Sequence, residues 1–156
     1  MYNVLVTNDD GIDAAGIRQL IFTLSLTTQV YVFAPKEQQS AKSQAMSAQG
    51  QLSVESRSIR GAEEAYAVGG TPVDCVKLGL QTMAGKGVSV DYVISGINMG
   101  LNLGADIHYS GTVGAAMEGG SSMTQRSKGS RSSSTSNHSK ASPWTVFLLE
   151  YARPER

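Results

Sequence analysis

Two aspartates stand side by side at Asp9-Asp10, directly after a largely apolar, β-branched run from Tyr2 to Thr7. Adjacent carboxylates repel each other and lose hydration in a pocket, and a divalent cation relieves both costs. Hard cations take oxygen ligands, which makes Ser40 and Asn98, each in a later polar stretch, candidates to complete the set. The other reading of the aspartates is turn and cap chemistry, which Asp also suits. For Ser40 and Asn98 it is an ordinary loop position. Ser110-Gly111-Thr112 suits an anion instead. Unpaired N–H groups at a helix start, with two hydroxyls, cradle phosphate oxygens; a plain Ser or Thr cap is the alternative. Asn102 follows Asn98 in the same glycine-rich stretch and has an amide to offer the same anion.

Other catalytic templates fit poorly. There is no GxSxG elbow and no phosphate-loop pattern, and the contiguous aspartates differ from the Asp-x-Asp of haloacid-dehalogenase phosphatases. His138 lies in a serine-rich stretch, and His108 has no acidic or cysteine partner by spacing. Thirteen basic and thirteen acidic residues cancel, so no overall field draws the chain to a nucleic acid polymer or a membrane surface. A small anion held by backbone donors and a metal remains open. The single cysteine, Cys75, rules out an internal disulfide and reads as a buried helical thiol. No leader-like segment opens the chain and no apolar run nears the ~20 residues of a membrane span, so a cytoplasmic location is expected.

These residues need a frame. Tyr2–Thr7 reads as a buried strand, Ile17, Leu20, Ile21 and Leu24 form a helical stripe, and Val30–Ala34 reads as a second strand closed by Pro35. Strand, helix and strand in that space form a βαβ unit of a parallel sheet. Residues 36–50 read as a loop and roughly 51–68 as a β-excursion. Thr71-Pro72 caps and opens a helix through Met83, which Gly85 ends. Tyr92–Ser95 is a further strand, breaking at Gly96 into a stretch too glycine-rich for regular structure. A small-residue helix spans Val113 to Glu118. The expected fold is α/β: a Rossmann-like, mostly parallel sheet with flanking helices, incomplete at the C-terminus. Ligands bind such sheets beyond the carboxyl ends of the strands, and all four polar clusters fall there.

After Gly119 the character changes. Residues 120–142 hold ten serines and almost nothing apolar, too little to offset ordering entropy, so disorder is expected. The apolar segment Trp144–Leu149 stands alone.

The clusters together resemble the SurE family of metal-dependent nucleotidases. The resemblance rests on Thr7-Asn8-Asp9-Asp10-Gly11, on Ala34-Pro35 with Ser40, and on Gly70-Thr71-Pro72-Val73-Asp74-Cys75-Val76. It rests further on Ser95-Gly96-Ile97-Asn98 with Gly100, Asn102 and Gly104, and on Tyr109 through Gly119. It implies one divalent metal ion, Mg2+ or Mn2+, on Asp9, Asp10, Ser40 and Asn98, and phosphate contacts from Asn102, Ser110, Gly111 and Thr112. The implied reaction is hydrolysis of nucleoside 5′- and 3′-monophosphates to nucleoside and phosphate, with Asp9, Asp10 and Asn102 as catalytic residues.

Two departures accompany the resemblance. Ala41 stands where the family often has glycine, and the serine-rich tract replaces the strands, helices and dimerising arm that make family members homo-oligomers. Residues 1–119 thus read as the N-terminal part of a nucleotidase domain, and 120–156 as a non-family tail of a truncated chain. A shift of reading frame near codon 119 accounts for such a break. The alternative to a working enzyme is an impaired nucleotide- or phosphate-binding remnant or an unstable fragment.

Overall fold

The run Tyr2–Thr7 forms β1 and Thr28–Pro35 forms β2, joined by helix α1 at Ala15–Leu24. Their register, Val4 opposite Val30 and Val6 opposite Val32, is parallel, as the helical crossover requires. The architecture comes from a computed structural model that describes residues 1–38, 52–99, 111–129 and 145–151, with 98–99, 122–129 and 145–151 described through their backbone alone. The β-excursion consists of β3, Val54–Arg57, and β4, Glu64–Val68. β4 lies parallel to β2 and antiparallel to β3, which closes that edge.

Helix α2, Pro72–Gly85, starts where the sequence places it. Thr71 is the N-cap, its hydroxyl accepting from the Asp74 amide at 3.2 Å, while Asp74 Oδ2 accepts from the Thr71 amide at 2.9 Å. This reciprocal box satisfies two helix-end groups at once. β5, Tyr92–Met99, then returns to the far side of β1, and helix α3, Gly111–Gly129, leads to β6, Thr145–Tyr151. The six strands lie in the order β3-β4-β2-β1-β5-β6. Every neighbour pair but β3/β4 is parallel.

Strand alternation divides the core between the two faces. Val4, Val6, Val30 and Val32 pack with Ile17, Leu20 and Ile21 of α1. Leu5, Tyr31, Phe33 and Val93 pack with Cys75, Val76, Leu80 and Met83 of α2 and Ala115 of α3. A parallel sheet covered on both faces is the arrangement that the apolar runs of its central strands demand. The chain goes from β1 outward to β2 and β4, then back through α2 to β5. β1 and β5 therefore flank the point where strand order reverses, which is where such sheets bind ligands.

Three local expectations change. β5 does not stop at Ser95: it runs to Met99, paired with β6 through Asn98 opposite Glu150 and Met99 opposite Tyr151. A register irregularity between Ser95 and Asn98, with Gly96 at φ 133°, absorbs the glycine within the strand. α3 continues past Glu118 to Gly129. Once a helix is nucleated on a packed base, each added residue needs only its own hydrogen bond, so weak helix formers extend it. The apolar segment near 145 does not stand alone but adds a strand to the sheet. Residues 130–144 lie outside the described part of the chain.

Candidate active site

At the carboxyl end of β1 the turn Asn8-Asp9-Asp10-Gly11 is fastened from within. The Asn8 side-chain amide donates to the Gly11 carbonyl at 2.9 Å, and Gly11 takes φ 97°, a conformation that side chains disfavour. The next amide, Ile12, donates to the Pro35 carbonyl at 2.8 Å, tying the turn to the end of β2. Asp9 is thereby held in the rim and is 7% exposed, while Asp10 is half-buried.

Helix α3 opens directly against this turn. Thr112, fully buried, donates its hydroxyl proton to Asp9 Oδ1 at 2.6 Å, across 103 residues of sequence. Gly111 sits so close that a Cβ on it would lie 3.0 Å from Asp9 Cβ and 3.3 Å from Pro72 Cγ. The starts of α2 and α3 therefore meet beside Asp9. Helix N-termini carry partial positive charge and favour an anion. Among the described residues no Lys or Arg forms an ion pair with Asp9. A buried carboxylate without a cationic partner is costly unless a cation joins it.

Beneath Asp9 lies a second polar layer that sequence reasoning did not single out. Thr7, Asn8 and Ser95 are completely buried, with Thr7 opposite Ser95 across β1 and β5. Asn8 Oδ1 and Ser95 Oγ make no hydrogen bond among the described residues. Nearby, burial pushes the Cys75 thiol well above its usual range, with the Asp74 charge adding to the effect and the Thr7 hydroxyl opposing it. The sequence signal for this layer is faint: polar residues ending two apolar strands.

Of the anticipated site residues, the fold brings together Asp9, Asp10, Gly111 and Thr112. Asn98 lies on the backbone of β5, the strand beside β1, at the same rim; its side chain, with Ser40, Asn102, His108 and Ser110, lies outside the described residues. No group of three or more His, Cys, Asp or Glu gathers among the described residues. Asp9 and Asp10 alone would supply two hard oxygens, so a complete shell needs neutral oxygen donors such as Ser40 and Asn98. The residues present fit a divalent cation on that chemistry.

A family model described as Survival protein SurE matches residues 4–148. The chain belongs to the SurE family. A 5′-nucleotidase SurE of Clostridium beijerinckii is 39% identical over 158 residues, covering 98% of this chain and 61% of the relative. Another 5′-nucleotidase SurE, of Clostridium botulinum strain Eklund 17B, is 48% identical over 118 residues, covering 75% and 46%. The crystal structure of SurE protein from Aquifex aeolicus superposes with TM-score 0.63 at 39% identity, over 74% of this chain and 45% of that one. The chain thus spans roughly half the length of these SurE relatives. Among the described residues no helix is long and apolar enough to cross a membrane.

Proposed function

We propose that this chain binds one divalent ion, Mg2+ or Mn2+, and hydrolyses nucleoside 5′- and 3′-monophosphates to nucleoside and phosphate. The observation that carries the reading is the buried Asp9 carboxylate, without a cationic partner among the described residues, facing the start of α3. The names of the relatives support the substrate class. Asp9, Asp10, Ser40 and Asn98 hold the ion. When bound, the ion supplies Lewis-acid polarisation of the phosphoryl group and activation of water.

The chain's own residues do the rest. Asn102, Ser110 and the amides that open α3 at Gly111 and Thr112 receive the phosphate oxygens and stabilise the charge that builds on them. One of the two aspartates takes the proton of the attacking water. As the water oxygen bonds to phosphorus, the ester P–O bond breaks and the leaving alkoxide of the nucleoside takes up a proton. Charge balance in the chain as a whole leaves recognition to this local cradle.

The test is phosphate release from nucleoside monophosphates by residues 1–156 in Mn2+, with and without EDTA. The reading expects turnover that EDTA abolishes and that Asp9→Asn lacks. Turnover unaffected by the chelator, or retained in Asp9→Asn, refutes it. Folded, cooperatively melting protein without turnover identifies a binding remnant instead.

A further inference from the structure

The hydroxyl of Thr112 has one proton, and the fold commits it. Oγ1 lies 2.6 Å from Asp9 Oδ1, the separation of a charge-assisted O–H···O⁻ bond. Both groups are buried, Thr112 completely, so water does not compete for the proton. A phosphate oxygen also needs a donor, and a hydroxyl already donating to Asp9 has only lone pairs to show it. Thr112 is β-branched and stiff about χ1, and Gly111 lets the helix start close on Asp9 with no Cβ between them.

We propose that Thr112 is a positioning residue: its hydroxyl fixes the Asp9 carboxylate through Oδ1 so that Oδ2 is presented to the divalent ion, and only its backbone amide serves the phosphate. This role rests on the metal reading above. Outer-shell groups that orient a metal ligand commonly contribute 10- to 100-fold in affinity.

Mn2+ alone, titrated without substrate or phosphate and followed by the electron paramagnetic resonance of the free ion, separates the possibilities. Thr112→Val keeps the shape and removes the proton, Thr112→Ser keeps the proton, and Asp9→Asn tests the ligand itself. The role predicts Mn2+ binding weakened about 10- to 100-fold in Thr112→Val and largely restored in Thr112→Ser. Inorganic phosphate should bind Thr112→Val with unchanged affinity once Mn2+ is saturating. Weakened Mn2+ binding in Asp9→Asn with none in Thr112→Val overturns the positioning role alone. Unchanged Mn2+ binding in both variants overturns the metal reading and this role with it. Lost phosphate affinity with intact Mn2+ binding makes the hydroxyl a phosphate contact. Should valine unfold the chain, Thr112→Ala against Thr112→Ser gives the same comparison without overpacking.

Discussion

Replacing Asp74 by alanine tests whether the head of α2 is held as the geometry implies. Asp74 Oδ2 accepts from the Thr71 amide at 2.9 Å and from the Thr71 hydroxyl at 2.8 Å, and both residues are buried. Alanine leaves two buried donors short of their shared acceptor. Each such orphan costs about 1–3 kcal/mol, and since the hydroxyl is free to rotate the sum is about 2–4 kcal/mol. Asparagine keeps an acceptor oxygen and loses mainly the charge assistance, about 1 kcal/mol. In urea, with a slope of about 2 kcal/mol per molar, the midpoint of Asp74→Ala should fall by roughly 1–2 M with the slope unchanged. The fall for Asp74→Asn should be clearly smaller. Equal losses in the two variants, or a loss below about 1 kcal/mol for alanine, would show that the box does not hold the helix.

Two further perturbations probe the frame. A Cβ on Gly79 would meet Leu5 Cδ1 at 2.8 Å and Phe33 Cδ2 at 2.9 Å, so Gly79→Val should lower stability by about 1–3 kcal/mol through overpacking; a melting temperature equal to the parent's contradicts that contact. Burial raises the Cys75 thiol in the folded chain, whereas the unfolded thiol ionises near the ordinary value of 9.0. This contribution is fully present below that pH and is lost above it at about 1.4 kcal/mol per pH unit. Cys75→Ala should flatten the alkaline limb of the stability curve, and identical limbs refute the assignment. The native thiol should also ignore a disulfide reagent that labels the urea-unfolded chain at once.

Local signals made much of this fold legible. β1, β2 and α1 follow from apolar periodicity, and α2 from Thr71-Pro72 at its head and Gly85 at its end. Asp9 and Asp10 stood out because they follow a strand. What escaped reading depends on distant partners. The reach of β5 past Gly96 follows from β6, and β6 gains meaning only from its pairing with β5. The extension of α3 to Gly129 depends on its packed base rather than on the serines. Thr112 reads in sequence as a helix-start hydroxyl for an anion; only the fold, closing 103 residues, aims it at Asp9.

Manganese located by anomalous scattering in crystals of the 156-residue chain addresses the central claim most directly. The account predicts one peak within about 2.5 Å of oxygens from both Asp9 and Asp10, with Ser40 Oγ and the Asn98 carbonyl completing its shell. Manganese bound elsewhere, or a site that leaves Asp9 uncoordinated, contradicts it.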